Sequence, residues 1–168
     1  QRQMCIRDRF AAVGGFSAGI LPGSYRFDCD RQSLLGEAIQ KSGAVEMPYF
    51  SATGTSDTVV PFINKDNWQK NAFFAAWQIY QIMNGMSVTE RPDFSKDTIF
   101  GITLENRETI WTNKGISMET GVLSKNGVPL IQMVAVNDYG HWNFKPAAKM
   151  MWDYFMPVSY THLTLPTT

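Results

Sequence analysis

The run from Val128 to Val136 constrains the fold of this chain more than any other stretch. It reads VPLIQMVAV and is apolar at almost every position. A strand with apolar side chains on both faces is typical of a sheet that helices cover on both sides, as in α/β proteins. The pair Asn126-Gly127 precedes it directly and predicts a two-residue hairpin turn, because both residue types tolerate a positive φ. A central buried strand that begins at a hairpin is therefore expected.

Further strands and helices are predicted along the chain. Short apolar runs bounded by turn residues predict buried strands, and apolar residues at helical spacing predict helices. The strands are expected in residues 10–19 and 47–54, and the helices in residues 31–43, 68–83 and 146–155. Asn64 or Asp66 is the candidate N-cap of the middle helix, and Gly85 is its stop. Pro146 suits the first position of the last helix.

Residues 87–124 interrupt this alternation. Residues 87–97 are polar and contain Pro92, which predicts a loop, and a strand-like pattern begins at Ile99. We interpret residues 87–124 as a β-rich insertion. Alternation of strands and helices on either side of it predicts an α/β fold, with a mostly parallel sheet and helices on its faces.

The two ends differ from the rest of the chain. QRQMCIRDR at 1–9 and VSYTHLTLPTT at 158–168 resemble the translation of one DNA sequencing adaptor, read in complementary orientations. We therefore expect a non-native leader at 1–9, a non-native tail at 158–168, and a partial domain at 10–157.

Composition excludes several classes of function. Residues 10–157 contain 12 basic and 14 acidic residues without a Lys/Arg cluster, which argues against a nucleic-acid partner. The chain has no apolar run near the roughly 20 residues of a membrane helix. Cys29 is the only cysteine of this span, so neither an internal disulfide nor a cysteine metal site is predicted. No metal or other cofactor is expected, and the oligomeric state is not indicated.

Two loops that follow predicted strands carry candidate catalytic residues. Asp57 lies in GTSDTVVP at 54–61, and His141 lies in DYGHW at 138–142. Strand ends at one edge of an α/β sheet form sites, so these residues are expected to meet. A carboxylate that accepts the imidazole Nδ1–H orients a histidine that takes a proton from a nucleophile. The alternatives are an aspartate that only caps its own turn and a structural histidine.

These motifs, in this order, resemble the C-terminal half of an α/β-hydrolase. The similarity covers most of residues 10–157 and is greatest to esterases grouped with polyhydroxybutyrate depolymerases, feruloyl esterases and acetylxylan esterases. The family's G-x-x-D-x-x-V-P acid loop is matched at 54–61, its G-H loop at Gly140-His141, and its W-D-F-F-like helix end at 152–155.

The resemblance implies a serine-type carboxylic ester hydrolase that acts on ester-linked acyl groups of plant polysaccharides or polyesters. His141 would be the general base, Asp57 its orienting acid, and Trp142, next to the histidine, a substrate-binding residue. The resemblance further implies secretion or a periplasmic location. A prolyl-oligopeptidase-like peptidase and a non-catalytic module that binds carbohydrate or protein are the alternatives.

Gly15 to Gly19 match the G-x-S-x-G nucleophile elbow, which makes Ser17 a candidate nucleophile. An elbow must lead into a helix, and the next residues, ILPGS, are helix-breaking. We therefore expect the nucleophile and its oxyanion hole to lie upstream of residue 10, with a compact triad through Ser17 as the alternative.

Overall fold

The structure of the chain, a computed structural model, describes residues 12–19 and 46–162. These residues form a mixed α/β unit with a five-stranded sheet and two α-helices. The strands are β1 (Val13–Phe16), β2 (Tyr49–Gly54), β3 (Glu105–Trp111), β4 (Ser117–Lys125) and β5 (Val128–Val136). The helices are α1 (Ala72–Met83) and α2 (Pro146–His162), and a short 3-10 helix covers Trp68–Lys70. The predicted helix at 31–43 and Cys29 lie outside the described residues.

The strand order across the sheet is β1-β2-β5-β4-β3. β1, β2 and β5 are parallel neighbours, whereas β4 pairs antiparallel with both β5 and β3. The prediction of a mostly parallel sheet is therefore wrong for the described residues, since half of the neighbouring pairs are antiparallel. For β4 and β5 the reason is the hairpin at Asn126-Gly127, where φ is 53° and 80°. A turn this short returns the chain directly alongside β4.

β5 confirms the prediction of a strand buried on both faces, with the predicted bounds. Ile131, Met133 and Ala135 pack in the cluster that contains α1. Val134 and Val136 point the other way and pack against α2. Apolar residues at successive positions are needed because each face of the strand is covered by a helix.

Helix α1 begins later than predicted. Asn71 is its N-cap, and the Asn71 side chain accepts hydrogen bonds from the N–H groups of Phe73 and Phe74 at 3.0 and 3.1 Å. Asn64 instead binds the N–H groups of Asp66 and Asn67 and so closes a separate turn. The predicted cap at Asn64 or Asp66 is therefore wrong. Gly85, with a φ of 62°, follows the end of the helix as predicted.

The region 87–124 is β-rich only in its second half. Residues 99–104, expected to begin a strand, form a turn and a bend instead, and β3 begins only at Glu105. Asp97 accepts hydrogen bonds from the N–H groups of Ile99 and Phe100, which bends the chain there. The alternating apolar residues of this segment, which suggested a strand, are buried in the core beside α1: Phe100, Ile102 and Leu104. The strands β3 and β4 belong to the main sheet and form one end of it.

Helix α2 begins at Pro146, as predicted. It continues through Pro157, which has no N–H to donate to the preceding turn, and ends at His162. It thus passes the expected boundary between residues 157 and 158. Among the described residues, no helix combines the length and the apolar character needed to cross a bilayer.

Candidate active site

The loops after β2 and β5 lie side by side because the two strands are parallel neighbours. Gly54 and Val136, the last residues of these strands, are paired in register. The Thr55 N–H donates to the Val136 carbonyl at 2.9 Å, and the Ser56 N–H donates to the Tyr139 carbonyl at 3.0 Å. A Cβ atom on Gly54 would lie 1.9 Å from the Tyr139 carbonyl oxygen. Only glycine permits this approach of the second loop.

Asp57 is held by its own turn. Its N–H donates to the Gly54 carbonyl at 3.2 Å. One carboxylate oxygen, Oδ1, accepts hydrogen bonds from the N–H groups of Val59 and Val60, both at 2.8 Å. The Asp57 side chain has no exposed surface. The turn therefore fixes one oxygen and leaves the other, Oδ2, directed away from the two backbone donors.

His141 contacts that second oxygen of Asp57. Its Nδ1 lies 2.9 Å from Asp57 Oδ2, and 40% of the His141 side chain is exposed. An ionised carboxylate only accepts hydrogen bonds, so Nδ1 carries the proton in this contact. Nε2 has no hydrogen-bond partner among the described residues. The imidazole is thus anchored at one nitrogen and open at the other, the arrangement that a general base needs.

The surroundings of Asp57 favour its charged form. Burial alone would raise the pKa of the carboxyl group. Four neighbouring groups act in the opposite direction and together hold the pKa below its ordinary value. They are the Val60 N–H, His141, the Ser17 hydroxyl and the Val59 N–H. Asp57 is therefore a carboxylate at neutral pH, as the contact with His141 Nδ1–H requires.

Trp142 and Val59 give the two loops an apolar surface. Trp142 follows the histidine and is 78% exposed, and Val59 follows the aspartate turn and is 66% exposed. A cavity of about 430 Å³ lies beside the aspartate turn and is lined by residues 59–61 and by residues around the start of α1. Trp142 is thus exposed on the loop that carries His141, where a ligand can reach it.

Ser17 directly follows β1, at the same edge of the sheet as the two loops, and its hydroxyl is among the groups that lower the pKa of Asp57. Its N–H donates to the Ala52 carbonyl at 2.8 Å, and its φ is 48°. The Ser17 Oγ is buried and makes no hydrogen bond of regular geometry among the described residues. A nucleophile must be reached by the substrate carbonyl, so this position disfavours a compact triad through Ser17.

The sequence did not single out Thr55 or the two backbone donors of the aspartate turn. The Asp138 N–H donates to Thr55 Oγ1 at 2.9 Å, and this bond joins the two loops directly. The Val59 and Val60 N–H groups hold the carboxylate. The only signal for them was the turn-forming composition of residues 54–61.

No protein-family model matches the chain, and comparison with curated proteins gives no match. In the part of the chain that the structure describes, no group of three or more His, Cys, Asp or Glu residues is arranged to hold a metal ion.

Proposed function

We propose that this chain carries the acid and base of a serine-type carboxylic ester hydrolase with an α/β-hydrolase fold. In this proposal His141 is the general base, Asp57 orients it, and a serine upstream of residue 10 supplies the nucleophile. The observation that carries the proposal is the 2.9 Å contact between His141 Nδ1 and a fully buried Asp57 carboxylate. A partly exposed histidine with this partner and an open Nε2 can remove a proton from a hydroxyl group and later return it to the leaving group.

The topology supports the same proposal. The acid follows β2 and the base follows its parallel neighbour β5, so both lie at the carboxyl edge of the sheet, where α/β enzymes place their sites. β1, on the other side of β2, is also parallel to it. In this proposal an upstream strand pairs in parallel with β1, so that its loop, with the nucleophile, ends at the same edge of the sheet as His141.

The surface around His141 supports an ester with an apolar or saccharide portion as the substrate. Trp142 offers an exposed indole face beside the base. Aromatic faces pack against apolar groups and against the C–H-rich faces of sugar rings. Esters of plant polysaccharides and polyesters both meet this description, and the proposed substrate class covers the two.

The test uses a longer chain that includes the coding sequence upstream of residue 10. It is assayed with p-nitrophenyl acetate, methyl ferulate, acetylated xylan, hydroxybutyrate oligomers and a peptide p-nitroanilide. We expect ester hydrolysis, and a kcat lowered by roughly 10³-fold or more in His141→Ala. Asp138→Asn is the matched control, because this exposed residue lies on the same loop with a φ of 53°, which asparagine tolerates.

Ester turnover that survives His141→Ala contradicts the proposed role of the base. Cleavage of the peptide substrate in preference to all esters contradicts the esterase and supports a peptidase. Binding of xylan without any hydrolysis supports a non-catalytic module. The 168-residue chain alone is expected to be inactive, and measurable ester turnover by it contradicts the upstream nucleophile.

A further inference from the structure

The G-x-S-x-G motif at residues 15–19 has no role in the proposed chemistry, yet its last glycine has a clear structural one. A Cβ atom on Gly19 would lie 2.8 Å from the carbonyl carbon and the Cβ of Ala72. The segment after β1 therefore packs directly on the first residue of α1. This contact holds the segment against the elements that surround Asp57.

Ser17 lies in this segment with its hydroxyl directed into the protein. β1 pairs with β2 up to Phe16 and Ala52, and the Ser17 N–H continues the pairing with a hydrogen bond to the Ala52 carbonyl. The Ser17 Oγ is buried without a regular hydrogen bond among the described residues. A buried hydroxyl that donates to nothing is unfavourable, so an acceptor close to it is expected.

The Asp57 carboxylate is such an acceptor. Oδ1 accepts two backbone N–H groups, and Oδ2 accepts one bond from His141 Nδ1. A carboxylate oxygen has two lone-pair directions, so Oδ2 has room for one more donor. Ser17 is also near enough to contribute to the low pKa of the Asp57 carboxyl.

We propose that Ser17 is a positioning residue, whose hydroxyl donates a hydrogen bond to the Asp57 carboxylate and holds it towards His141 Nδ1. The effect of this hydrogen bond on catalysis rests on the proposed function, whereas the hydrogen bond itself does not. The serine of the motif thus acts on the acid from the protein interior and does not attack the substrate. No bond to the substrate forms at Ser17.

The first test is a titration of the Asp57 carboxyl carbon by NMR in the 168-residue chain. We expect Ser17→Ala and Ser17→Gly both to raise the pKa of Asp57, because each removes the donor. The two variants differ in backbone strain: alanine keeps a Cβ at a φ of 48°, whereas glycine relieves it. A pKa that rises in both variants, while their thermal stabilities differ, assigns the effect to the hydroxyl.

Thr53→Val is the matched control. Thr53 is another buried hydroxyl without a hydrogen-bond partner among the described residues, and it lies on the neighbouring strand β2. Its replacement by valine is expected to leave the Asp57 titration unchanged. An Asp57 pKa that is the same in Ser17→Ala as in the unmodified chain overturns the proposal, and so does an equal shift in Thr53→Val.

The second test separates this inference from the proposed function. In the longer chain, Ser17→Ala is expected to lower kcat about tenfold with little change in KM, since one hydrogen bond to the charged acid is lost. A shifted Asp57 titration in a protein that hydrolyses no ester refutes the esterase but retains the contact. An unshifted titration with abolished activity refutes the positioning role and supports Ser17 as a nucleophile.

Discussion

Replacing Asp57 with asparagine tests how the buried carboxylate stabilises the fold. Asparagine has the same shape and keeps an oxygen for the N–H groups of Val59 and Val60, which lie 2.8 Å from Oδ1. It removes the charge and puts an amide NH₂ in place of Oδ2, 2.9 Å from His141 Nδ1. Hydrogen bonds to charged groups contribute roughly 1.5–3 kcal/mol, compared with roughly 0.5–1.5 kcal/mol for neutral ones.

With these contacts weakened, we expect Asp57→Asn to lower the free energy of unfolding by about 2 kcal/mol at pH 7. For a chain of this size, that loss lowers Tm by roughly 4–8 °C. The Asp57 pKa is lower in the folded chain than its ordinary value. Its contribution is therefore complete above the ordinary pKa of about 3.9 and is lost as the pH falls through the lowered value. Asparagine does not titrate, so the difference between the two proteins disappears in acid.

Urea unfolding of the two proteins from pH 7 down to about pH 2 measures this difference. Asp138→Asn is the control, since it removes an exposed carboxylate and is expected to change stability little at any pH. Equal stability of Asp57→Asn and the unmodified chain at pH 7 would refute the reasoning. A destabilisation that stays constant down to acid pH would refute it as well, because the charge would then not be its cause.

Three further substitutions have defined outcomes. Gly54→Ala places a Cβ against the Tyr139 carbonyl and is expected to lower the free energy of unfolding by about 3 kcal/mol or more. The Asp57–His141 contact is expected to be lost, which NMR spectra would show. Gly115→Asn, at an open site with a φ of 77°, is the control. Asn71→Ala removes the N-cap of α1 and is expected to cost about 1–2 kcal/mol in urea unfolding. In the longer chain, Trp142→Ala is expected to raise KM for acetylated xylan more than for p-nitrophenyl acetate; an equal effect on both contradicts a saccharide contact.

The elements with strong local signals were predictable from the sequence. The apolar run of β5, the turn at Asn126-Gly127 and the start of α2 at Pro146 all lie where predicted. The start of α1 was not predictable in the same way. Asn64 and Asn71 both cap backbone N–H groups, and only the packing of α1 decides which of them begins the helix. The strand predicted to begin at residues 99–104 was wrong for a related reason, since a buried irregular segment can carry as many apolar residues as a strand.

In the candidate site, too, local sequence predicted some features and long-range pairing decided others. The loop after each strand predicted that Asp57 and His141 would meet, and the sheet register brings them together. The two interpretations of Asp57, as a cap of its own turn and as the partner of His141, are compatible, since one oxygen closes the turn and the other binds the histidine. The position of Ser17 followed from the pairing of β1 with β2, which no local pattern specifies. Long-range pairing thus decides where the motif at residues 15–19 lies.

The protonation of His141 tests the central claim most directly. In the neutral imidazole, ¹⁵N NMR distinguishes a proton on Nδ1 from one on Nε2. We predict the Nδ1–H form in the unmodified chain, with Nε2 free to act as a base, and a shift towards the Nε2–H form in Asp57→Asn. A predominant Nε2–H form in the unmodified chain would contradict it, because Asp57 would then not orient the base.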